Sequence, residues 1–453
     1  MPRTANAPAT GRFPAVMAVE KAARPLRIAV VYSRIPLPMR RADQMTVAHL
    51  LGFLKARGHK VDLYCINAGA VSEEADFAWL GKNCSRVHLY PHDVFSIAAG
   101  VLKALCGRIP FQVALFSHAK QRRDLKAQIA ARSYDVVYTY YFRSAEVSRD
   151  LTPSPAKLNE RRGPVSFLAL QLSQTLNTVR IAENAPNLFL KLFYCIESCL
   201  VGRYESRIWQ HFTRTVLIGK CDVEEIQRTC RRLGRPLIDN YVYGAHGTDI
   251  SRFAPRPDVR EKPFSLVFSG VMRTPTNINA VVWFAEKVWP LVRAACPQAV
   301  WTIVGREPSF EVKNLGALPG VRVTGTVADP AVYISEASIC INPMQAGGGM
   351  QNKLVEYLAC GKPVVATSVA NEGVGAAPDE HLLVADEPEA FAEAVIRLLR
   401  DEALRRSLGK AARSFAQSHW TWEAHFLKLE NDFYQALDGA PPSGITQKPT
   451  GTR

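Results

Sequence analysis

The stretch INPMQAGGGMQNKLVEYLACGKPVV runs from Ile341 to Val365 and combines three local signals. An apolar segment, Ser338–Ile341, predicts a strand that enters a loop of three consecutive glycines. A helix is predicted to begin near Met350, and Gly361 followed by Pro363 is a typical stop signal for a helix. The stretch therefore predicts a strand, a glycine-rich loop, a short helix and a second strand, as in an α/β domain.

The glycine loop, which contains Gly347, Gly348 and Gly349, is a candidate phosphate-binding element. Glycines before a helix expose the backbone N–H groups that a helix start leaves without partners, and the helix dipole favours an anion there. Lys353 and Glu356 are three residues apart and share one face of the predicted helix. A cation beside phosphates and a carboxylate that accepts from two sugar hydroxyls would together bind a nucleotide. The alternative is a tight strand–helix connection with a solvated Lys–Glu pair.

The composition is that of a globular protein. The chain has 453 residues, enough for two or three domains. No apolar run approaches the roughly 20 residues that span a bilayer. Ten cysteines without Cys-x-x-Cys pairs or metal-ligand spacing predict reduced thiols and a cytoplasmic location. The sequence has no Asp-x-Asp pair, Walker A motif or Gly-x-Gly-x-x-Gly fingerprint, which argues against a metal-dependent transferase, a P-loop NTPase and a dinucleotide dehydrogenase.

A basic segment, Lys103–Arg132, accounts for part of the net charge of +15. It has one acidic residue, Asp124, and seven basic ones: Lys103, Arg108, Lys120, Arg122, Arg123, Lys126 and Arg132. Such a patch attracts phosphates of nucleic acids or anionic lipids, or is an ordinary solvated helix face. The absence of nucleic-acid-binding motifs argues against a nucleic-acid partner. Asp93–Cys106 is amphipathic and predicts a helix that lies on a membrane surface or packs on its own sheet.

Strand-like segments alternate with helical patterns, which predicts two doubly wound α/β domains. We predict a disordered N-terminus at 1–24, a first domain at 25–254, a linker at 255–263, a second domain at 264–419 and a disordered tail at 438–453. In the second domain, strands are predicted at 265–269, 300–304, 321–324, 338–341, 363–367 and 382–385. The residues after the strands' carboxyl ends are candidate ligand-binding residues: Gly270, Arg273, Arg306 and Glu372 in the second domain, Arg41 and Asp43 in the first.

The run EYLACGKPVV, from Glu356 to Val365, and the glycine-rich segment before it resemble the nucleotide-sugar-binding segment of glycosyltransferase family 4, in its bacterial polysaccharide-biosynthesis subgroup. The resemblance covers residues 25–437. It implies a retaining enzyme of the GT-B fold, with two Rossmann-like domains that face each other across a cleft, and a helix at 420–437 that packs back on the N-terminal domain. Glu356 matches the family's second glutamate, which binds the nucleotide ribose, whereas Gly348 occupies the position of the first.

The resemblance also implies roles for other residues. The arginine and lysine that clamp the diphosphate in the family are replaced by Val271 and Thr276. Arg273 and Lys353 would supply that charge, and they are the candidate catalytic residues. The implied donor-binding set is Gly270, Arg306, Gly347, Gly348, Gly349, Lys353, Glu356 and Glu372. Tyr138 and Tyr140 replace histidines that face the cleft in the family, and the candidate acceptor-side set is Arg41, Asp43, Tyr138, Tyr140 and Arg143.

The implied reaction moves a sugar from a nucleoside diphosphate to a hydroxyl of a growing polysaccharide or a lipid-linked saccharide, with no metal or other cofactor. The implied partners are the nucleotide-sugar, the acceptor and an anionic surface at the inner face of the cytoplasmic membrane. Two alternatives remain open. One is a catalytically degenerate nucleotide-binding scaffold, suggested by the missing glutamate and clamp, and the other is a nucleotide-sugar epimerase of related fold.

Overall fold

A computed structural model of the chain describes residues 19–39, 41–67, 74–107, 109–131, 134–152, 163–183, 188–244, 247–250, 252–345 and 351–442. These residues form two compact units. The N-terminal domain contains the described residues up to 244 together with 425–442, and the C-terminal domain contains those between 247 and 424. The segment predicted as a linker, 255–263, therefore lies within the C-terminal domain.

The N-terminal domain is built on a parallel sheet of seven strands in the order β3-β2-β1-β4-β5-β6-β7. The strands are β1 Arg27–Tyr32, β2 Lys60–Asn67, β3 Arg86–Pro91, β4 Val136–Tyr140, β5 Val165–Gln171, β6 Arg214–Leu217 and β7 Tyr241–Tyr243. The strand order reverses between β1 and β4, which is the switch point where doubly wound sheets bind ligands. Every residue of β4 and β5 is buried, as expected for central parallel strands that are covered on both faces.

Helices connect these strands. They are α1 Ala42–Ala56, α2 Glu74–Asn83, α3 Val94–Gly107, α4 Phe111–Ala114, α5 Ala119–Ala130, α6 Ala145–Ser148, α7 Gln174–Glu183, α8 Leu188–Ile208 and α9 Lys220–Arg232. The second half of α8 is buried at Val201, Tyr204 and Ile208, whereas its first half exposes apolar side chains. Among the described residues, no helix has both the length and the apolar composition that crossing a bilayer requires.

The C-terminal domain has a parallel sheet of six strands in the order β10-β9-β8-β11-β12-β13. The strands are β8 Lys262–Ser269, β9 Val300–Val304, β10 Val321–Val323, β11 Ala337–Asn342, β12 Val364–Ala366 and β13 Leu383–Val384. The helices are α10 Pro275–Trp283, α11 Trp289–Ala295, α12 Phe310–Asn314, α13 Pro330–Glu336, α14 Asn352–Ala359, α15 Ser368–Asn371, α16 Pro388–Arg400 and α17 Glu402–His419. A π-helical turn, Phe284–Val288, joins α10 to α11. The predicted strands are confirmed, with slightly shifted bounds, and two doubly wound α/β domains are the predicted fold class.

The C-terminal helix α18, Trp422–Leu437, packs on the N-terminal sheet from His425 onward. The Phe433 ring lies 4.8 Å from Phe167 of β5, and the Phe426 ring lies 5.5 Å from Phe53 of α1. These ring contacts place the last helix over the middle of the sheet.

A buried carboxylate, Glu430 of α18, holds this helix in register. The Arg57 guanidinium donates to both of its oxygens, from Nε at 3.0 Å and from Nη2 at 2.7 Å. His59 Nε2 lies 2.5 Å from Glu430 Oε1. His59 Nδ1 accepts the N–H of Leu26 at 2.9 Å, so the proton is on Nε2 and points at the carboxylate. Burial raises the pKa of Glu430, but these hydrogen bonds outweigh it and hold the pKa below its usual value.

Two parts of the N-terminal domain differ from what the sequence predicts. Strand β3 has no sequence prediction because it lies at the edge of the sheet, where only Tyr90 of its six residues is buried. Residues 19–24, predicted to be disordered, lie against the end of α1. Ala22 is buried there, and its N–H donates to the carbonyl of Arg57 at 2.8 Å.

We expect Glu430→Ala to lower the free energy of unfolding by about 3 kcal/mol, because it leaves the buried groups of Arg57 and His59 without their acceptor. Urea denaturation followed by circular dichroism measures this change. The difference from the wild type should be complete above about pH 5 and shrink at lower pH, because the wild-type carboxylate itself becomes protonated as the pH falls through its lowered pKa. Lys428→Ala, at an exposed position of the same helix, is the matched control. Equal midpoints for both variants would contradict the role of Glu430.

Candidate functional site

The loops after β8 and β9 approach each other closely, next to the switch point of the C-terminal sheet, which lies between β8 and β11. The Gly270 N–H donates to the Val304 carbonyl at 2.9 Å. A Cβ atom at Gly305 would lie 1.8 Å from the Gly270 carbonyl oxygen, and one at Gly270 would lie 2.8 Å from Asn277 Nδ2. A side chain at Gly305 would force the two loops apart, and one at Gly270 would displace the Asn277 side chain of α10.

Helix α14 lies over the same strand ends. Its apolar face is fully buried and consists of Leu354, Val355 and Leu358. The Tyr357 hydroxyl oxygen accepts the N–H of Ser269, the last residue of β8, at 2.7 Å. Gly361 ends the helix with a φ of +69°, a conformation that favours glycine. These contacts fix the helix, and with it the positions of Lys353 and Glu356.

Lys353 is partly withdrawn from water and lies between two segments of the site. Its Nζ donates to Asn277 Oδ1 at 2.5 Å, and it lies 4.5 Å from the centre of the Phe268 ring. Asn277 is oriented for this role because its Nδ2 donates to the Val271 carbonyl at 3.0 Å. Burial lowers the pKa of Lys353 to about 8, although the nearby Glu356 charge acts in the opposite direction. The ammonium is therefore poorly solvated, and an anion would stabilise it.

Glu356 follows Lys353 by three residues on α14. No hydrogen bond to its carboxylate comes from the described residues. Burial raises its pKa to about 7, and the charges of Arg252 and Lys353 oppose that rise. A partly buried carboxylate without a donor has accepting capacity left for the hydroxyls of a ligand.

The remaining charged candidates of this domain are exposed. Arg273 is 72% exposed, and its Nε lies 2.9 Å from Glu307 Oε2, an ion pair of the kind that contributes little in water. Arg306 is exposed on the neighbouring loop, and Glu372 is exposed at the end of α15. Among the described residues, no hydrogen bond or ion pair joins these three side chains to Lys353 or Glu356. The structure thus brings Gly270 and Lys353 together at Asn277, with Glu356 three residues further along α14, and leaves the other three at the surface.

Two predictions for this site are not decided. Gly347, Gly348 and Gly349 lie outside the described residues, so the phosphate-binding loop stays a prediction. In the described part of the chain, no group of three or more His, Cys, Asp or Glu side chains is arranged to hold a metal ion. The expectation of a reaction without a metal also stays a prediction.

In the N-terminal domain, Arg41 and Asp43 lie at the start of α1, beyond the end of β1. Arg41 is exposed at the N-cap position. The Asp43 carboxylate accepts from the Tyr32 hydroxyl at 2.8 Å and from Arg34 Nη1 at 3.0 Å. Arg143, which follows β4, is half-buried between aromatic rings. These residues lie at the edge of the sheet where ligands are expected.

Tyr138 and Tyr140 require a correction, because the structure buries both side chains. The Tyr138 ring packs 5.8 Å from Phe433, and the Tyr140 ring packs edge-on, 5.6 Å from Tyr32. Burial raises the pKa of both hydroxyls above the ordinary range. Since β4 is covered on both faces, they are core residues, and the prediction that they line an acceptor site is wrong.

Sequence reasoning did not single out Asn277 or Arg252. Asn277 is 76 positions before Lys353, which it contacts, and no sequence motif predicts such a contact. Arg252 lies near Glu356 and is held 3.8 Å from Asp329. The one available signal for Asn277 was its position in the first turn of the helix that follows β8.

Comparisons with known proteins agree with this architecture. Residues 263–401 match the sequence family described as Glycosyl transferases group 1. A protein of Klebsiella pneumoniae, described as an uncharacterized 44.6 kDa protein in the cps region, is 22% identical over 89% of this chain and 98% of its own. Sucrose-phosphate synthase of Thermosynechococcus elongatus has a TM-score of 0.55 and 20% identity over 92% of this chain and 100% of its own. HepE of Anabaena, in complex with UDP, has a TM-score of 0.54 and 12% identity over 90% of this chain and 100% of its own. These structural likenesses confirm the predicted fold.

We expect Lys353 to titrate at about pH 8, well below the ordinary value of about 10.4 for lysine, because its ammonium is poorly solvated. Reductive ¹³C-methylation followed by an NMR pH titration measures this pKa directly. One lysine methyl resonance should titrate about two units below the others, and Lys353→Arg should remove that resonance. A spectrum in which every lysine titrates near the ordinary value would contradict the desolvated environment.

Proposed function

We propose that this protein, whose residues 263–401 match the family described as Glycosyl transferases group 1, is a retaining glycosyltransferase. It would move a sugar from a nucleoside diphosphate to a saccharide hydroxyl. The acceptor that we propose is a growing polysaccharide or a lipid-linked saccharide. The relative from a cps region supports that class of acceptor, and the UDP in the HepE structure supports a nucleotide-sugar donor.

The observation that carries this proposal is the pairing of Lys353 and Glu356 on α14 at the switch point of the C-terminal sheet. Lys353 donates to Asn277 Oδ1 and weakly to Met344 Sδ, which leaves one N–H donor for a phosphate. Glu356 has accepting capacity left for hydroxyls. A nucleoside diphosphate has both kinds of group, phosphates and ribose hydroxyls, at a separation that one helical turn can serve.

The proposed step breaks the bond between the anomeric carbon and the diphosphate oxygen, and the acceptor hydroxyl oxygen forms a bond to the same carbon. The hydroxyl proton passes to the leaving diphosphate, so the step needs no protein base. Lys353 would donate a charge-assisted hydrogen bond to the diphosphate, whose negative charge increases as the bond breaks. Glu356 would accept from the ribose and fix the position of the donor.

We expect the two residues to differ in kinetics. Lys353→Met should lower turnover on the order of 100-fold, because it removes a donor that acts mainly in the transition state. Glu356→Gln should raise the dissociation constant of UDP about tenfold or more, because a charge-assisted hydrogen bond contributes roughly 1.5–3 kcal/mol. Release of UDP from a panel of UDP-sugars measures turnover, and isothermal titration measures binding. Lys313→Met, at an exposed position of α12, is the control.

Other outcomes separate this function from its alternatives. Full turnover in Lys353→Met would exclude the lysine from the site. Binding of UDP-sugars by the wild type without turnover on any acceptor would favour a scaffold. Conversion of a UDP-sugar to its epimer without an acceptor would favour an epimerase. NMR of the product's anomeric configuration tests retention.

The finer proposal on location rests on exposed apolar side chains of three helices in the N-terminal domain, which we call the apolar surface. They are Val94, Phe95, Ile97, Val101, Leu102 and Leu105 of α3, Val179 and Ile181 of α7, and Leu188, Phe189, Leu192, Phe193 and Ile196 of α8. Helix α4 joins α3 to α8: Gly100 lies against the backbone of Ala114, and the Phe111 ring lies 5.7 Å from Phe193. Large exposed apolar patches of this kind mark sites that bind a membrane or another protein.

Charge favours an anionic lipid surface as the partner of this apolar surface. Residues 94–107 and 188–196 contain no acidic residue, and each includes one lysine, Lys103 and Lys191. The predicted basic patch contributes less than expected, because Arg122 Nη1 donates to the carbonyls of Glu146, Val147 and Arg149 and is not free. Lys120, Arg123 and Lys126 of α5 are exposed, while Arg108 and Arg132 lie outside the described residues. We therefore propose peripheral binding at the inner face of the cytoplasmic membrane.

We expect the wild type to co-sediment with vesicles that contain phosphatidylglycerol. A variant with Phe95→Ser, Leu102→Ser and Phe189→Ser should bind at least tenfold more weakly, since burying one such side chain contributes roughly 1.5–3 kcal/mol. Phe310→Ser is a matched control, because Phe310 is as exposed as Phe189, at 78%, but lies in the other domain. Equal sedimentation of the triple variant and the control would rule out the apolar surface as the lipid-binding element.

A further inference from the structure

A group of three arginines lies at the switch point of the N-terminal sheet, between β1 and β4. These strands are parallel neighbours in which Tyr32 is opposite Tyr140, so the segments that follow them leave the sheet at the same edge. Arg34 follows β1, Arg143 follows β4, and Arg41 lies at the N-cap of α1. We call these three residues the arginine cluster.

The cluster has more positive charge than its neighbours neutralise. Asp43 is the acidic residue in contact with it, and its carboxylate already accepts from Arg34 and from the Tyr32 hydroxyl. Within the described ranges, no other ion pair involves Arg34, Arg41 or Arg143. The three guanidinium groups and the one carboxylate together have a net charge of +2.

Arg143 is held in place before any ligand arrives. Its guanidinium carbon lies 5.4 Å from the centre of the Phe116 ring and 5.6 Å from that of Tyr141. Its Nε is buried and has no hydrogen-bond partner in the described part of the chain. Burial and the charges of Arg34 and Arg41 lower the pKa of Arg143, while Tyr141 and Asp43 oppose this change. The guanidinium nevertheless stays protonated, because its ordinary pKa is so high.

The backbone beside Arg143 is strained in a way that supports this placement. Tyr141 has a φ of +75°, and Gln171, at the end of the neighbouring strand β5, has a φ of +71°. Both are left-handed conformations that residues other than glycine rarely adopt. The Tyr141 N–H donates to the Ala169 carbonyl at 2.9 Å, which fixes the turn, and its ring then lies against Arg143.

We propose that the arginine cluster binds a phosphate or diphosphate group of the acceptor substrate. The inference rests on the proposed transferase function and adds to it the class of acceptor, which is phosphorylated. The net charge of the cluster matches a dianion, whereas the carboxylate of a sugar acid would neutralise only half of it. Guanidinium groups present planar pairs of donors that fit phosphate oxygens, so arginine is the residue expected at such a site.

Inorganic pyrophosphate is the probe that tests the cluster, and isothermal titration is the measurement. All titrations use Lys353→Met as the background, so that the nucleotide site contributes little. We expect pyrophosphate to bind in this background, and we expect Arg41→Gln and Arg143→Gln each to weaken binding about tenfold. Arg41 is exposed, so its variant should fold even where Arg143→Gln does not. Arg232→Gln, at an exposed position of α9, is the control.

The result that would overturn the proposal is pyrophosphate binding that neither Arg41→Gln nor Arg143→Gln weakens, or no binding in the Lys353→Met background. Failure of the transferase function is recognised separately, because UDP binding and its dependence on Glu356 do not involve the arginine cluster. If the protein binds pyrophosphate through the cluster but releases no UDP from any UDP-sugar, the anion site is supported and the transferase function is contradicted.

A competition experiment identifies the source of the phosphate and decides whether it belongs to an acceptor. A polyprenyl diphosphate in detergent micelles and a soluble sugar phosphate each compete with pyrophosphate in the Lys353→Met background. Displacement by the polyprenyl diphosphate alone supports a lipid-linked acceptor, and displacement by the sugar phosphate supports a soluble phosphorylated saccharide. If neither displaces pyrophosphate, the site does not accept an acceptor phosphate and the proposal is wrong.

Discussion

The candidate site of the C-terminal domain depends on the hydrogen bond between Lys353 and Asn277. Removing an ammonium from water is costly, and here the cost is offset only in part by a neutral amide oxygen, the Phe268 ring and the charge of Glu356. The pKa, which burial lowers to about 8, reflects the part of this cost that remains uncompensated. An arriving phosphate would complete the solvation of the ammonium, so the same feature that makes the empty site unfavourable makes it selective for an anion.

The hydrogen bond between Lys353 and Asn277 also constrains the residue type at several positions that are distant in the sequence. Asn277 can reach Lys353 only because the first turn of α10 lies against the loop after β8, and that approach requires glycine at position 270. Gly305 must likewise lack a side chain, because the Gly270 carbonyl occupies the space that a Cβ would need. Tyr357 then ties α14 to the end of β8 from the other side. Loss of any of these contacts would move the lysine rather than remove it.

Sequence patterns were informative where local physics decides the outcome. Short apolar runs between helical patterns identified the strands, because buried parallel strands have few polar residues. The three-residue spacing of Lys353 and Glu356 was enough to place them together, since helix geometry alone sets it. Asn277 could not be found in this way, because its role depends on a contact across 76 positions.

Burial on both faces explains the main error. The family resemblance implied that Tyr138 and Tyr140, at positions where the family has histidines, face a ligand, but every residue of β4 is buried. Helix α8 shows the converse problem. A helix with apolar residues all round is expected to be buried, and the sequence cannot say which half remains uncovered. Only the packing of Val201, Tyr204 and Ile208 against the core reveals that the first half is exposed.

The two switch points differ in charge, and that difference bears on how each would handle phosphate. Lys353 and Glu356 together are nearly neutral, so a donor diphosphate there must obtain further stabilisation from backbone N–H groups, as the predicted loop of Gly347, Gly348 and Gly349 would provide. Dipoles of this kind stabilise developing charge without binding the released product too strongly. The arginine cluster has the opposite balance, with a net charge of +2 that a bound phosphate would neutralise. A group that must leave after each turnover suits the first arrangement, and a group that stays attached to the acceptor throughout the reaction suits the second.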